Sequence, residues 1–270
     1  MKQKISYISA FVVIVAAFCG CSSMQQVIKS GNAELMYDHA LLYYEAEKWT
    51  KSITLLETCE SAFRGTIKED SVAFFKARSY FKNMDYSMAS TLFDEFRRSF
   101  GRSAFIEDAE AMYAISLYNM CPPPERDQTM TSQAIIAISE FMSHYPNSEQ
   151  LHLFSEMTKE LTWRMHEKEF INAYTYFKIE RYNSAIVAFR NALKKYPDSH
   201  RREDLMYHIV MSSFLLAENS IETKQLDRYL STLDSYMTFI MEFPESKYKD
   251  ELERVAETTR RFIDKNQKEE

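Results

Sequence analysis

The feature that most constrains the fold of this chain is a spacing of small and aromatic residues that occurs three times. The intervals within one copy are three, nine, four and eight residues. The copies are Ala173-Tyr176-Ala185-Phe189-Pro197, Ala77-Tyr80-Ala89-Phe93-Gly101 and Ala40-Tyr43-Ser52-Leu56-Arg64. Self-similarity at a fixed period is typical of solenoids, in which each unit buries its apolar face against the next one.

These intervals match the 34-residue tetratricopeptide repeat, in which a small residue and Tyr lie late in helix A, Ala and Phe lie in helix B, and Pro ends the unit. Two further copies are visible from their second halves, Ala134-Ile138-Phe141-Pro146 and Thr232-Tyr236-Phe239-Pro244. We therefore predict an all-α tetratricopeptide-repeat solenoid of about five helix-turn-helix repeats. Their expected ranges are 33–66, 70–103, 105–148, 166–199 and 203–246.

Four repeats end in a motif of an aromatic residue, Pro or Gly, a variable residue and Ser. The aromatic ring packs on the last helical turn, Pro or Gly breaks the helix, and Ser is placed to cap the next helix. The copies are Phe100-Gly101-Arg102-Ser103, Tyr145-Pro146-Asn147-Ser148, Tyr196-Pro197-Asp198-Ser199 and Phe243-Pro244-Glu245-Ser246. Between helices A and B, Cys121–Asp127, with three prolines, and Glu218–Gln225 are expected to be loop insertions in repeats 3 and 5.

Two segments outside the repeat pattern are also predicted to be helical. Between Ser148 and His166, apolar residues follow a helical spacing, so this segment should extend the third repeat into the fourth. Residues 248–268 are highly charged with one apolar face, which is typical of a helix that caps a solenoid. The solenoid domain is therefore expected to span residues 31–270. The apolar positions are Leu151, Phe154, Met157 and Leu161 in the first segment, and Leu252, Val255, Thr259 and Phe262 in the second.

The first 20 residues have the order of a secretory signal peptide. Lys2 and Lys4 precede an apolar segment that ends at Gly20-Cys21 and is too short to span a bilayer. Because a thiolate can carry a diacylglycerol, we predict that residues 1–20 are removed and that Cys21 is lipidated. Residues 21–30 would then be a flexible tether to the membrane. An ordinary signal peptide with a chance cysteine is the alternative.

The composition argues against several classes of function. Without Lys2 and Lys4, 31 basic residues face 39 acidic ones, a net charge of −8, which disfavours nucleic acid as a partner. Glycines are too few for a phosphate-binding loop, so no cofactor is expected. The six histidines lack metal-ligand spacing, and no segment outside the repeats could hold a catalytic domain, so neither a metal nor an enzyme is expected. For Cys59 and Cys121, both in segments predicted to be helical, buried thiols are favoured over a disulfide.

The segment Leu161–Leu216 resembles the fourth repeat and its surroundings in the BamD family, the lipoproteins of the outer-membrane β-barrel assembly machine. The overall plan is similar as well, with a lipobox, about 250 residues after removal of the first 20, five repeats and a C-terminal helix. The residues that carry the resemblance are Glu169, Ala173, Tyr174, Tyr176, Tyr182, Ala185, Phe189, Tyr196-Pro197-Asp198-Ser199 and the helix around Leu205 to Leu216.

The resemblance implies a lipoprotein anchored in the outer membrane with its repeats facing the periplasm. It would bind the periplasmic domains of the barrel-forming insertase, other assembly lipoproteins and the C-terminal signal of unfolded outer-membrane proteins. The nearest alternative is another periplasmic tetratricopeptide lipoprotein, an adaptor in cell-envelope or peptidoglycan machinery. A lytic transglycosylase on an α-helical superhelix is disfavoured because it would need a separate catalytic domain with a suitably placed Glu.

Candidate binding residues follow from the repeat register. In tetratricopeptide grooves, positions five, nine and twelve of helix A line the concave wall. An aromatic wall with one cation suits an extended peptide that ends in an aromatic residue and a carboxylate. The alternative is that these rings only pack neighbouring A helices together. The positions are Tyr37, Leu41 and Tyr44 in repeat 1, and Phe74, Arg78 and Phe81 in repeat 2.

Overall fold

The computed structural model describes residues 24–266, which form helices joined by short turns, with no β-strand among them. Residues 24–29 are helical, and a 3₁₀ turn covers Glu60–Phe63. The predicted signal peptide and Cys21 lie outside the described residues. The later helices are α1 (Ala33–Glu45), α2 (Trp49–Cys59), α3 (Glu69–Lys82), α4 (Tyr86–Ser99), α5 (Ile106–Met120), α6 (Thr129–His144), α7 (Leu151–Lys178), α8 (Tyr182–Lys195), α9 (Arg202–Glu218), α10 (Glu222–Glu242) and α11 (Lys249–Asn266).

The prediction of an all-α tetratricopeptide-repeat solenoid is confirmed. Five successive pairs of helices, from α1–α2 to α9–α10, are followed by α11, although α3 and α9 begin one residue before the expected ranges and α7 begins 15 residues before 166. The extra segment before repeat 4 is continuous with its helix A, so α7 runs for 28 residues. Its apolar positions Phe154 and Leu161 are fully buried. No helix within residues 24–266 is both long and apolar enough to cross a membrane.

The chain divides into two compact units. Unit 1 runs up to Cys121 and also includes Met130–Phe154, whereas unit 2 consists of Pro122–Thr129 and the chain from Ser155 onward. The three-proline loop belongs to unit 2 because side chains of α7 hold its backbone. Arg164 Nη1 donates to the carbonyl of Pro122 at 3.3 Å, and Lys168 Nζ donates to that of Glu125 at 2.9 Å.

The small residues of the repeat are the points of closest helix packing. Because they have almost no side chain, neighbouring helices can approach each other closely. Phe93 and Phe189, one in each unit, lie next to them and are also completely buried. The tyrosines of the repeat are less buried, since Tyr176 is 45% exposed and the Tyr80 hydroxyl donates to the exposed Glu57. Each of these small residues is at most 1% exposed, namely Ala40, Ser52, Ala77, Ala89, Ala173 and Ala185.

The serines of the repeat-end motif act just before the next helix. Each Oγ accepts a hydrogen bond from the backbone N–H two residues later, and the helix begins one residue after that. Thr66, whose Oγ1 accepts from the N–H of Lys68 at 3.3 Å, does the same at the end of repeat 1. The serines and their N–H donors are Ser103 with Phe105, Ser148 with Gln150, Ser199 with Arg201, and Ser246 with Tyr248.

Two predicted irregular segments are helical instead. The predicted tether, residues 21–30, is a helix from residue 24 onward, and Val27 is buried in the core formed with α1, α2 and α3. The reason is that Met24, Val27 and Ile28 follow the spacing of one helical face. In the predicted insertion Glu218–Gln225, only residues 219–221 are not helical, and 222–225 form the first turn of α10, because Leu226 and Tyr229 continue an apolar face that packs on α9 and α11.

Candidate peptide-binding surface

Three of the six predicted groove residues are core residues. Tyr37 and Tyr44 are each 7% exposed, and Phe74 is 1% exposed. The Tyr37 hydroxyl lies 2.5 Å from the Ser71 Oγ, and the Phe74 ring stacks on Phe105 with a centroid distance of 4.6 Å. For these three rings the prediction of a ligand-facing wall is therefore wrong, because each face that could stack on a ligand is already covered.

The other three residues, Leu41, Arg78 and Phe81, are partly exposed. The Arg78 guanidinium lies 5.7 Å from the ring centroids of both Tyr44 and Phe74. Its Nε is buried and has no hydrogen-bond partner within residues 24–266, and no carboxylate of that range forms an ion pair with Arg78. Burial raises the pKa of Tyr44, although the positive charge of Arg78 opposes the shift, so the phenol is neutral.

The side chain of Arg78, held between the rings of Tyr44 and Phe74, is permanently charged. A guanidinium does not lose its proton in proteins, and its planar fork can bind both oxygens of one carboxylate. Aromatic rings attract it but do not neutralise it. Within residues 24–266, Arg78 thus carries a charge that no carboxylate neutralises.

Unit 2 repeats the register with different chemistry. Phe170, Tyr174 and Phe177 occupy the positions on α7 that Phe74, Arg78 and Phe81 occupy on α3. Their rings are nearly parallel, with centroids 5.6 Å apart between Phe170 and Tyr174 and 5.9 Å apart between Tyr174 and Phe177. These three rings form an aromatic ladder. No candidate binding residue was predicted from the sequence in repeats 4 and 5, although the same helix-A positions identify this ladder.

A histidine from the next repeat packs against the ladder. The His208 ring lies 5.0 Å from Tyr174, 4.9 Å from Phe177 and 5.3 Å from Phe189, measured between centroids. Its Nδ1 is buried without a hydrogen-bond partner in the described part of the chain. Burial lowers the pKa of His208 to about 4, so the ring is neutral near pH 7. The cations next to this ladder are Arg201, 4.8 Å from the Phe170 centroid, and Lys178, 5.4 Å from the Tyr174 centroid.

Polar contacts about one repeat length apart, which we call joints, connect the start of a repeat to its end or to the residues just before the next repeat. In each case an acidic residue within the first six positions of an expected repeat range contacts a residue 33 or 34 positions later. Sequence reasoning missed the joints, although the recurrence of acidic residues at these positions is a usable signal. The pairs are Glu34 with Lys68, Asp70 with Ser103, Glu110 with His144, and Glu167 with His200 and Arg201.

The two cysteines after the N-terminal segment differ from each other. Cys59 is 2% exposed, is a free thiol, and donates to the carbonyl of Leu56 at 3.6 Å. Burial raises the pKa of the Cys59 thiol to about 11. Cys121 is partly exposed, and its thiol donates to the carbonyl of Leu117 at 3.3 Å. Both cysteines are therefore thiols, as expected, but only Cys59 of the two is buried. Residues 24–266 contain no group of three or more side chains that could hold a metal.

Comparison with known proteins places the chain in a family. A family model described as YfiO, outer membrane lipoprotein, matches residues 29–225. The putative outer membrane protein assembly factor BamD of Aquifex aeolicus (strain VF5) is 22% identical over 266 residues, which cover 98% of this chain and 85% of that protein.

Two solved tetratricopeptide structures are also similar, with TM-scores too low to add to the assignment. The TPR2AB-domain:pHSP90-complex of yeast Sti1 has 14% identity, a TM-score of 0.39, and coverage of 84% of this chain and 98% of that one. The P58(IPK) TPR domain has 12% identity, a TM-score of 0.41, and coverage of 90% and 69%. The family model, in contrast, spans well over half of the chain, and the protein therefore belongs to the YfiO, or BamD, family of outer membrane lipoproteins.

Proposed function

We propose that this protein is a component of outer-membrane protein assembly that acts by binding and not by catalysis. Lipid on Cys21 holds it in the outer membrane, and its repeats face the periplasm. There it binds the periplasmic domains of the barrel-forming insertase, other assembly lipoproteins and unfolded outer-membrane proteins. Membership of an outer membrane lipoprotein family and the likeness to an assembly factor support this proposal.

The single observation that carries the binding role is the uncompensated cation at Arg78. Its Nε is buried next to two aromatic rings, and it has no carboxylate partner within residues 24–266. A polypeptide that ends in an aromatic residue offers the missing carboxylate together with an apolar side chain. Arg78 binds the terminal carboxylate, and Leu41 and Phe81 contact the last side chain. Tyr44 and Phe74 support Arg78 from the core, whereas Tyr37 packs against Phe63.

A peptide-binding experiment tests this assignment. The probe is a fluorescent peptide that ends in Phe with a free carboxylate, and anisotropy reports its affinity for the full chain. Arg78→Met should weaken binding about tenfold or more, because a hydrogen bond to a charged group contributes about 1.5–3 kcal/mol. Amidation of the peptide terminus should weaken binding to the unaltered protein by a similar factor, and it should have little further effect on Arg78→Met.

The matched control is Arg98→Met on α4, whose side chain is 73% exposed. This variant should bind the peptide like the unaltered protein. Thermal unfolding of each variant separates loss of binding from loss of structure. Equal affinity of Arg78→Met and the unaltered protein, or equal effects of amidation on both, would remove Arg78 from the binding site.

The assembly role has its own test in membranes. A photoreactive residue in place of Phe81, and separately one in place of Val187 in unit 2, should crosslink to unfolded outer-membrane proteins or to an integral barrel protein. Cys21→Ser should release the protein from the membrane fraction. Crosslinks to peptidoglycan enzymes alone would favour the adaptor alternative, and membrane retention of Cys21→Ser would refute the lipid anchor.

A further inference from the structure

A groove lies on the surface of unit 2 over α9. Both α8 and α10 pack on α9, and Met206 and Ile209 of α9 form the floor together with Leu193 of α8. The groove has a volume of about 220 Å³. Met206 and Ile209 are 6% and 7% exposed, so only the surface at the bottom of the groove remains open to solvent. This groove can accept apolar side chains.

An apolar ridge runs along α10 beside the groove. Leu230, Met237 and Met241 are 43%, 46% and 81% exposed, respectively. Their separations of seven and eleven residues place all three on one side of the helix. Single exposed apolar residues are ordinary on protein surfaces, but a stripe on one helix next to an apolar groove is the pattern of an interaction site.

Two charged residues flank the groove on opposite sides. Arg190 lies on the α8 wall and Asp234 on the α10 wall, and both are exposed. Neither forms an ion pair with another residue of the described range. The same face therefore carries a groove, a ridge, one cation and one anion.

We propose that this face of unit 2 binds a second copy of the chain. A two-fold axis beside α10 places the ridge of each copy in the groove of the other, so Met237 packs against the floor formed by the partner's Ile209. The same axis brings Arg190 to the partner's Asp234 and Asp234 to the partner's Arg190. An isologous interface requires a surface that is complementary to itself, and a ridge beside a groove with opposite charges on its walls meets that condition.

Sedimentation of the purified full chain in mild detergent, over a wide range of concentration, tests the proposal. The unaltered chain should show a reversible monomer–dimer equilibrium. Met237→Glu should abolish the dimer, because it places a charge in the apolar groove. Arg190→Asp and Asp234→Arg should each weaken dimerisation about tenfold or more, as like charges then face each other. The double exchange Arg190→Asp/Asp234→Arg should restore it.

Arg254→Asp, an exposed charge reversal on α11, is the control and should leave the dimer intact. Circular dichroism of each variant verifies the helical fold, and the double exchange distinguishes loss of pairing from loss of structure. A monomer at every concentration would overturn the proposal. So would a dimer that is insensitive to the single reversals, a double exchange that remains as weak as the single variants, or a different protein found on this face in membranes.

Discussion

The joints differ between the two units. In unit 1, Lys68 binds Glu34 from 34 residues earlier, and the side chains are 38% and 59% exposed. In unit 2, Arg201 binds Glu167 at the same separation, with Nε–Oε1 and Nη2–Oε2 distances of 2.6 and 3.0 Å. Glu167 is 9% exposed, whereas Arg201 is 34% exposed. The same position in the repeat thus holds a screened surface pair in one unit and a bidentate, largely buried pair in the other.

The unit 2 joint continues into a network. Burial alone would raise the pKa of Glu167, but hydrogen bonds from Arg201 and His200 outweigh it and hold the pKa below its usual value. Arg201 also donates to Asp204 at 2.8 Å, and Asp204 accepts a hydrogen bond from the Tyr248 hydroxyl at 2.7 Å. The network therefore connects α7, α9 and the start of α11. Because the Glu167 carboxylate is buried, each of its hydrogen-bond partners contributes to the stability of the folded state.

The two units also differ in the side chain that packs among their aromatic rings. Arg78 in unit 1 and His208 in unit 2 both pack against rings, but only histidine can lose its charge near neutral pH. Arg78 consequently keeps its charge near neutral pH, whereas His208 is neutral there. Similar packing has different functional meaning because the two side chains differ in proton affinity.

The largest effect is expected at the buried joint. Glu167→Ala should lower the free energy of unfolding by about 2–3 kcal/mol, since it removes the bidentate partner of Arg201, which then keeps only its hydrogen bond to Asp204. Glu34→Ala, its counterpart in unit 1, should cost less than about 0.5 kcal/mol. Urea unfolding at pH 7 measures both values. Equal losses would mean that burial does not distinguish the two joints.

The next effect concerns pH and His208. Because the folded-state pKa of about 4 lies below the unfolded value of 6.5, only the unfolded chain takes up a proton between these values. Stability is therefore unaffected well above pH 6.5 and falls as the pH decreases, by about 2 kcal/mol at pH 5. His208→Gln should lack this dependence on pH, so the difference in the free energy of unfolding between the unaltered protein and the variant should shrink on acidification. Urea midpoints at pH 7.5 and 5 provide the measurement. A constant difference would show that His208 is not held neutral by the fold.

The smallest effect should be the same in both units. Glu47 and Met84 in unit 1 and Glu180 in unit 2 occupy the turn between helices A and B with φ of 56°, 62° and 60°. This left-handed conformation is strained for residues with a Cβ, so replacement by Gly at each position should stabilise the protein by about 0.5–1 kcal/mol. Thermal unfolding of the three single variants tests this. If the stabilisation by Gly differs strongly between the units, side-chain contacts at these positions contribute more than the relief of backbone strain.

Much of the fold could be predicted because it depends on local patterns. The repeat intervals located the helix pairs, the Pro or Gly of the end motif located the breaks, and the helical spacing from Leu151 to Leu161 anticipated the long α7. The failures were also local. The polar composition of residues 21–30 and 218–225 suggested loops, but apolar side chains at helical spacing, such as Val27 and Tyr229, keep residues 24–29 and 222–225 helical.

The candidate site was less predictable than the fold. The register correctly brought Tyr44, Phe74 and Arg78 together, but it could not say which of them faces solvent. A position on a helix face defines a direction, whereas burial depends on how closely the neighbouring helix approaches. Phe105, from the start of the next repeat, is what covers Phe74, and nothing in the repeat pattern identifies that contact.

The sequence by itself determined the helical repeats and their boundaries, because helix periodicity and chain breakers act over a few residues. Only the tertiary structure decided which rings are buried, which carboxylate pairs with which cation across a repeat, and that α7 is shared by two units. These features depend on contacts between residues more than 30 positions apart. Their energies come from desolvation and packing, which a linear pattern does not encode.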